Sequence, residues 1–418
     1  MKNTLVDNHK AAMELLPVGD NASAAGLQRT DSRPAAIPAR LSQALAGWDS
    51  PADHPSPAEG KFTIGILPGE GIGPEVMEGV VEVLDAVARH SPFSFDIGYG
   101  GLIGKSAVKA YGKALTPDVI EWCESIFTNE GAILCGPGGG RFVYDMRKRF
   151  ELFCKFTPIR PYSALRDTGV LRPEALNNID LVVVRENVSG LYFGECDRQV
   201  DASGIDRITH TFGYRMDEVQ RIIEVGIKLA QSRRRRLSLV VKPGGVPAVS
   251  QLWIDVFSRL VSGADITTDI IEVDNASYQI IAAASDFDVV VAPNLFGDIL
   301  SDVAALLLGS RGLSFSGNFG GKGVATYQTG HGAAHDISGK DVANPIGQIL
   351  STAMMLRESF GLSRVADAIE IAIGKVLANG IRTADIAAPG CRVVGTKEMV
   401  RLVVVAVEQE LLNPDISG

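Results

Sequence analysis

Four short apolar runs in the middle of the chain each lead directly into a polar or charged residue. Runs of this length, rich in Val and Ile and alternating with helix-like stretches from residue 61 onward, are typical of an α/β fold. Ligands of open α/β sheets bind at the carboxyl ends of the strands, so these polar side chains are expected to gather at one edge if the strands share a sheet. Any one of them could instead form a salt bridge in a loop. The runs and the polar residues after them are 180–184 before Arg185, 237–241 before Lys242, 270–273 before Asp274, and 289–292 before Asn294.

Two aspartates, Asp298 and Asp302, follow the last of these runs at a spacing of four. On a helix this spacing places both carboxylates on one face, about one turn apart. Adjacent carboxylates repel each other unless a cation lies between them, and a ligand set of oxygen atoms suits Mg²⁺ or Mn²⁺ rather than zinc. An ordinary exposed helix start, where the helix dipole favours Asp, is the alternative. At this point the sequence leaves both open.

A glycine-rich segment at residues 68–75 joins the first predicted strand, residues 62–67, to a predicted helix. Its glycines allow the backbone to lie close to a ligand at the helix N-terminus. Pro74 and Glu75 suit the first helical turn. The segment lacks the G-x-G-x-x-G fingerprint of dinucleotide binding, so a plain tight turn explains it equally well.

Charge and cysteine content narrow the class of protein. The formal net charge of −9 over 418 residues argues against a nucleic-acid partner. The one basic run, residues 233–236, is expected to be a solvated helix end. No apolar stretch approaches the roughly 18 residues that a membrane span needs. Five cysteines without a C-x-x-C pair are typical of a reduced, cytoplasmic chain.

Residues 1–60 differ in composition from the rest of the chain. They are rich in Ala, Pro, Ser, Asp and Asn and show little periodicity. This composition predicts a mostly disordered N-terminal tail, in which residues 41–48 could form a short helix.

Five motifs, in combination and in order, resemble those of the isocitrate/3-isopropylmalate dehydrogenase family, which are metal-dependent, decarboxylating dehydrogenases of 2-hydroxy acids. The resemblance covers residues 61 to about 413 and implies an α/β, two-domain fold with a large central mixed sheet flanked by helices. The implied larger, cofactor-binding domain comprises 61–154 and 309–418. Residues 155–308 would form the smaller substrate, metal and dimerisation domain, with a dimer-clasping arm at about 192–212. The motifs lie at 67–75, 146–148, 185–187, 294–298 and 331–345.

The resemblance also implies an active site shared between two subunits of a homodimer. Asp298 and Asp302 match the family's metal ligands, and Asp274 matches the acid that the neighbouring subunit contributes. Lys242, also lent across the dimer, matches the lysine that assists proton removal from the 2-hydroxyl. Beside cations and partly desolvated, it is expected to have a depressed pKa. Tyr192 matches the tyrosine that helps to reprotonate the enol.

Substrate residues are implied by the same comparison. Arg147 and Arg185 match the arginines that hold the malate carboxylates, since rigid guanidinium forks suit bidentate carboxylate binding. The neighbouring Asn187 is assigned to the same site. The C3 substituent would be read by the helix face before Arg147. Three residues there leave its character open: Val143 and Tyr144 favour an apolar or aromatic group, and Arg141, if it points inward, an acidic one.

The cofactor implied is NAD. At positions 336 and 337, NADP-using relatives carry a lysine and a tyrosine for the 2′-phosphate, whereas this chain has Asp336 and Ile337. A carboxylate accepts a hydrogen bond from a ribose 2′-hydroxyl and repels a phosphate. The complete set assigned to cofactor binding is Gly71, Ile72, His331, Gly332, Ala334, Asp336, Ile337 and Asn344.

The chain departs from the family pattern at some positions. A family arginine for substrate binding falls on Thr157, so the grip on one carboxylate should weaken unless Lys155 or Arg160 substitutes. The loop at 135–141 is also shorter than in most relatives. We therefore expect a specialised NAD-dependent enzyme that oxidises and decarboxylates a 3-substituted malate or related 2-hydroxy diacid, of isopropylmalate, isocitrate or tartrate type. The alternative is a non-catalytic regulatory subunit of a related dehydrogenase.

Overall fold

The computed structural model describes residues 40–45 and 59–412, in which strands and helices alternate from residue 60 onward. The strands are β1 Gly60–Leu67, β2 Phe93–Tyr99, β3 Ala132–Cys135, β4 Cys154–Ile159, β5 Leu181–Glu186, β6 Glu195–Val200, β7 Asp206–Thr211, β8 Arg236–Val241, β9 Thr267–Glu272, β10 Val289–Ala292, β11 Phe315–Phe319, β12 Ala325–Thr329, β13 Ile381–Arg382 and β14 Arg392–Val393. The helices are α1 Gly73–His90, α2 Gly104–Tyr111, α3 Pro117–Thr128, α4 Phe142–Arg149, α5 Met216–Ser232, α6 Pro247–Val261, α7 Val273–Ala282, α8 Asn294–Ala304, α9 Ile346–Glu358, α10 Ser363–Ala378 and α11 Thr396–Leu411.

Ten of these strands form one mixed sheet in the order β2-β1-β3-β12-β11-β4-β5-β10-β8-β9. β2, β1, β3 and β12 are parallel to one another, as are β5, β10, β8 and β9. Between these halves, β11 and β4 supply the antiparallel pairings. The predicted α/β class with a large central mixed sheet is therefore confirmed. The division into two domains stays a prediction. β4 was assigned almost entirely to the smaller domain and β11 to the larger one, yet the two strands are hydrogen-bonded neighbours in one sheet.

The four strands with polar ends are consecutive neighbours in this sheet and run in the same direction. Their carboxyl ends therefore lie along one edge, as the sequence predicts. Two details differ from the prediction. Arg185 lies within β5 rather than after it, and Asp274 is in the first turn of α7 rather than in a loop.

The core follows from the composition of the elements. β3 and β10 are buried at every residue and consist of apolar side chains and Cys, as expected for strands covered on both faces. All thirteen residues of α9 are buried as well. Two of its hydroxyl side chains, Ser351 and Thr352, are satisfied by donating to carbonyls one turn earlier.

Part of the predicted tail is docked onto the core. A 3₁₀ helix at Leu41–Ala44 buries Leu41 and Leu45. The N–H groups of Leu41 and Ser42 donate to the buried carboxylate of Glu358, at 3.1 and 2.9 Å. The short helix that the sequence allows at 41–48 is present as a 3₁₀ helix over four of these residues. The rest of the predicted tail, 1–39 and 46–58, lies outside the described residues.

The basic run follows the end of α5, and Arg234 and Arg235 are exposed as the sequence predicts, whereas the side chain of Arg233 is not. Arg233, just after α5, is buried and donates to Asp288 and Asp180 at 2.8 and 2.9 Å. Asp288 is itself buried and directly precedes β10, and Asp180 directly precedes β5. Arg233 therefore pairs with both acids at the amino ends of these two strands. The predicted arm contains the exposed hairpin of β6 and β7.

No helix within the described residues is both long and apolar enough to cross a membrane. All five cysteines fall in the described part of the chain, and each is free there, as expected for a reduced chain. A cytoplasmic location stays a prediction.

The two hydrogen bonds that the Glu358 carboxylate accepts from Leu41 and Ser42 give the first testable expectation. Glu358→Ala should lower the free energy of unfolding by about 1–3 kcal/mol, because two backbone donors lose a buried charged acceptor. Urea denaturation of the full chain measures this change. Glu398→Ala, which removes only exposed ion pairs with Arg392 and Arg401, should cost less than about 1 kcal/mol. An equal loss of unfolding free energy in the two variants would contradict a stabilising role for the Glu358 hydrogen bonds.

Candidate active site

Helix α8 brings Asp298 and Asp302 to the wall of one cavity of about 320 Å³. The helix begins at Asn294, directly after β10 and Pro293, so its first turns stand at the polar edge of the sheet. Both carboxylates face the cavity, as their spacing of four predicts. The helical placement of the two acids is thus confirmed, and the plain exposed helix start is the weaker explanation.

Asp298 is held by two groups that precede it in the chain. Arg185 forms an ion pair with its Oδ1, and the Tyr192 hydroxyl donates to its Oδ2 at 2.7 Å. Burial alone would raise the pKa of Asp298, but the charge of Arg185 and the hydrogen bond from Tyr192 hold the pKa below its ordinary value. Asp298 is therefore an anion at neutral pH.

Arg185 is buried, and its remaining donors are also engaged. Its Nε and Nη2 donate to Asn294 Oδ1 at 3.1 and 2.7 Å. Asn187 lies behind it, buried, donating to Leu152 O and Asn318 Oδ1 at 3.0 and 3.1 Å. Neither residue is among those that line the cavity. Their predicted contact with substrate stays a prediction. In this structure Arg185 holds Asp298, and Asn187 links β5 to Leu152 and Asn318.

Two cations in the cavity wall have no hydrogen-bonded or ion-pair partner among the described residues, Arg147 on α4 and Lys155 on β4. They are only 5% and 8% exposed. Burial and the neighbouring Arg185 lower the pKa of Arg147 to about 9. Burial, followed by the charges of Arg147 and Arg185, lowers the pKa of Lys155 to about 7. Such positions are costly unless an anion binds there.

Asp302 has a cationic neighbour that the sequence reading missed. Arg311 donates through Nη2 to both carboxylate oxygens of Asp302, at 3.1 and 3.0 Å, and to Gly330 O at 3.0 Å. Arg311 lies in a 3₁₀ helix at Arg311–Leu313, nine residues after Asp302, and no motif marks it. It joins the acid pair to the loop that carries His331.

The remaining cavity wall is mostly polar. Val143 and Tyr144 line it as predicted. Arg141 does not: it is exposed, forms an ion pair with Asp145 at 3.8 Å, donates to Tyr192 O at 3.4 Å and lies over the ring of Tyr144 at 5.3 Å. The acidic substituent that an inward Arg141 would favour therefore loses its support. Hydroxyl and amide side chains complete the wall, namely Thr157, Ser301, Ser314, Ser316, Gln328 and Thr329.

A second cavity of about 320 Å³ adjoins the first, and Val143, Gln328, Thr329 and His331 line both. Of the predicted cofactor residues, His331, Gly332 and Ala334 line it. Glu70 and Lys105, which were not assigned, line it too. Glu70 accepts hydrogen bonds from the N–H groups of Gly139 and Ser106 and so fixes the loop that forms the cavity floor.

The other predicted cofactor residues lie beside this cavity rather than in its wall. Gly71 has a φ of +60°, and Ile72 N–H donates to Ala333 O at 2.8 Å, which binds the glycine loop to the histidine loop. A side chain at Gly71 would collide with Ala333 O. Asp336 is exposed, Ile337 packs beside Ile72, and Asn344 accepts the N–H of Ile346 at 3.0 Å at the start of α9. Their roles in cofactor binding stay predictions.

Lys242 and Asp274 are paired with each other outside this cavity. Lys242 Nζ lies 2.6 Å from Asp274 and 2.6 Å from Glu272. Within the single chain, hydrogen bonds to Asp274 and Glu272 raise the pKa of Lys242. The depressed pKa expected for this lysine in a shared site beside a metal stays a prediction. The side chain of Asp274 is 69% exposed. Over the described ranges, no cluster of three His, Cys, Asp or Glu side chains could hold a metal ion, so Asp298 and Asp302 lack a third ligand within one chain.

Comparison with known proteins places the site in context. Residues 63–403 match the model of the isocitrate/isopropylmalate dehydrogenase family. The chain is 38% identical over 362 residues to the 3-isopropylmalate dehydrogenase of Geobacillus kaustophilus, covering 83% of this chain and 96% of that relative. It is 39% identical to the enzyme of that name from Bacillus subtilis, with 78% and 92% covered. The crystal structure of isocitrate dehydrogenase from Methylococcus capsulatus is similar with a TM-score of 0.72 and 30% identity, covering 83% of this chain and all of that one.

The unpartnered ammonium of Lys155 predicts a pH dependence of stability. Because the folded-state pKa lies below that of the unfolded chain, the protonated lysine destabilises the fold fully below pH 7, and this cost disappears as pH rises toward 10.5. In EDTA and without substrate, Lys155→Met should therefore be more stable than wild type at pH 7. The difference in unfolding free energy should shrink by more than about 1 kcal/mol at pH 9.5, measured by urea denaturation. A difference that does not change with pH would contradict the assignment.

Proposed function

Because this chain belongs to the isocitrate/isopropylmalate dehydrogenase family, we propose that it oxidises and decarboxylates a 3-substituted malate or related 2-hydroxy diacid with NAD and Mg²⁺ or Mn²⁺. One observation carries the proposal: two carboxylates on one helix face a cavity whose wall also holds two buried cations with no hydrogen-bond or ion-pair partner among the described residues. A metal and an organic dianion together would satisfy all four groups. Neither the relatives' names nor the cavity favours a non-catalytic regulatory subunit.

The residues present fit a divalent cation. Asp298 and Asp302 offer only oxygen ligands, and both are held in place, one by Arg185 and Tyr192 and the other by Arg311. When bound, the metal supplies a positive charge that favours loss of the proton from the substrate's 2-hydroxyl and stabilises negative charge after decarboxylation.

Proton transfer would involve Tyr192. Tyr192 is not itself among the residues that line the cavity, but its hydroxyl donates to Asp298, which is. Its ring packs against Tyr144 at 5.2 Å and lies under Arg185 at 5.6 Å. Burial, together with Asp298, raises the pKa of Tyr192, so the phenol keeps its proton at neutral pH. A protonated phenol at this position can donate to a substrate carbon or oxygen held beside Asp298.

The proposal requires a second copy of the chain. Lys242 and Asp274 form an exposed pair that lies outside the cavity of their own chain, and the cavity has two acids where a metal would take three protein ligands. An exposed pair of opposite charge is available to enter another chain's site. In a symmetric dimer each cavity would receive Lys242 and Asp274 from the other copy. Ile205 and Ile208 in the arm, 64% and 71% exposed, are apolar side chains that such a dimer would bury.

NAD would occupy the second cavity, where it would supply the hydride acceptor next to the substrate cavity. His331 lies in the wall shared by both cavities, and its buried Nε2 has no hydrogen-bond partner among the described residues. Asp336, five residues after His331, is exposed to solvent. Its carboxylate would favour a ribose hydroxyl over a phosphate.

Turnover tests the proposal directly. The purified protein should reduce NAD in the presence of Mn²⁺ and at least one of 3-isopropylmalate, isocitrate, tartrate or D-malate, with release of CO₂. The reaction should stop in EDTA and return with excess Mn²⁺, and NADP should be at least about tenfold less effective, because Asp336 repels the 2′-phosphate. Absorbance at the reduced cofactor's band measures the rate. Failure of every 2-hydroxy diacid in a wide panel would overturn the proposed function.

Subunit mixing tests the shared site. Lys242→Met and Asp298→Asn should each remove more than about 99% of turnover, because each deletes a group needed in the transition state. A renatured equal mixture should recover about a quarter of wild-type activity, since half of the dimers would contain one intact site of two. Circular dichroism of each variant controls for folding. An inactive mixture of dimers containing both variants would show that the two residues do not act in trans.

A further inference from the structure

We propose that Lys155 and Thr157 together form the second carboxylate subsite of this chain, an ammonium and a hydroxyl taking the place of an arginine fork. The inference rests on the proposed function and specifies how its diacid substrate is held. The carboxylate concerned is the C4 carboxylate, which the metal would leave free. Arg147, from α4, would be its other partner.

The placement of the two residues on β4 supports this subsite. They are two positions apart on one strand, so their side chains project from the same face of the sheet. Both line the substrate cavity, and Thr157 is 3% exposed. The Thr157 hydroxyl has no hydrogen-bond partner among the described residues, and the side-chain ammonium of Lys155 has neither a hydrogen bond nor an ion pair there. Two adjacent buried donors therefore point into the same space without an acceptor.

The charges in the cavity wall favour an anion at this point. Asp298 is paired with Arg185, and Asp302 with Arg311. Arg147 and Lys155 remain as two buried positive charges without a counterion in the described part of the chain. Burying an unpaired charge is costly, and the cost is relieved when an anionic ligand enters. A carboxylate between Arg147 and Lys155 would meet one guanidinium and one ammonium.

The other candidate for the missing arginine is excluded by its contacts. Arg160 donates to Glu370 at 2.7 Å and lies outside the cavity wall. Arg357 shares that carboxylate group at 2.7 Å, so Arg160 belongs to a buried ion-pair network on α9 and α10. Lys155 therefore supplies the positive charge for the substrate carboxylate that the neutral Thr157 cannot supply.

Holding the carboxylate with Lys155 and Thr157 instead of an arginine has a chemical consequence. A guanidinium fork imposes bidentate geometry on a carboxylate, whereas a lysine ammonium is a point charge on a flexible stem. Threonine is also smaller than arginine and leaves space next to the bound carboxylate. We therefore expect this subsite to accept C4 carboxylates of substrates whose position varies with the C3 substituent.

Binding of D-malate in the presence of Mg²⁺ and without NAD tests the subsite, using calorimetry on the full chain. Lys155→Met should weaken binding by about 10- to 100-fold, and Thr157→Val by about 3- to 10-fold, as expected for lost charged and neutral hydrogen bonds. Lys228→Met, an exposed lysine on α5 outside both cavities, is the matched control and should not change binding. The C4 monoamide of malate should bind wild type and Lys155→Met almost equally, because the charge that Lys155 recognises is absent.

A reciprocal variant completes the test. Lys155→Asn combined with Thr157→Arg moves the charge to the position used in the family and should restore malate binding to within about tenfold of wild type. Because Lys155→Met removes an unpaired buried charge, its melting temperature should not fall, which separates lost recognition from lost folding.

The outcomes distinguish this inference from the proposed function. Wild-type turnover together with unchanged malate binding by Lys155→Met would overturn the subsite and leave the function intact. Malate binding that depends on Lys155 without turnover of any diacid would overturn the function and leave the subsite. Absence of malate binding to the wild-type protein would overturn the assignment of a carboxylate subsite.

Discussion

The excess of positive charge around Asp298 is the constraint on which the rest of the site depends. Arg147, Lys155 and Arg185 converge on the region of this one carboxylate, and all three are buried. Coulomb repulsion among them would be large at the low effective dielectric of a protein interior. Asp298 is kept ionised by these cations and in turn fixes Arg185 and Tyr192. The two cations that it does not pair remain available to an anion that enters from outside.

The sheet explains why one chain holds only part of the machinery. Neighbouring strands lie about 4.8 Å apart, so β8 is about 10 Å and β9 about 14 Å from β5 along the sheet. Lys242 and Asp274 follow those two outer strands, whereas Arg185 lies in β5. Asp298 and Asp302 follow β10, the neighbour of β8, yet Lys242 and Asp274 pair with each other outside the cavity wall. In the proposed dimer, a second copy would supply these two groups without any change in the fold.

Much of this arrangement follows from local sequence. Short β-branched runs, each ending in a polar residue, predict the four parallel strands, and a spacing of four predicts the shared face of Asp298 and Asp302. Partners formed across long stretches of chain do not follow from such patterns. Arg311 lies in a short 3₁₀ turn that carries no motif, yet it binds Asp302. The capture of Leu41 and Ser42 by Glu358, more than three hundred residues away, depends on how α9 is buried. The ion pairs of Lys242 with Glu272 and Asp274 likewise do not follow from the sequence pattern, because these acids on β9 and α7 come close to it only in the folded sheet.

The most direct test of the whole account is the position of a bound metal. A crystal grown with Mn²⁺ and D-malate can be measured at a wavelength where manganese scatters anomalously. The account predicts an anomalous peak within bonding distance, about 2.0–2.3 Å, of Asp298 and Asp302, with Asp274 of a second copy completing the set and Lys242 of that copy beside it. A peak elsewhere, or one at Asp298 and Asp302 with Asp274 of every copy far away, would contradict it.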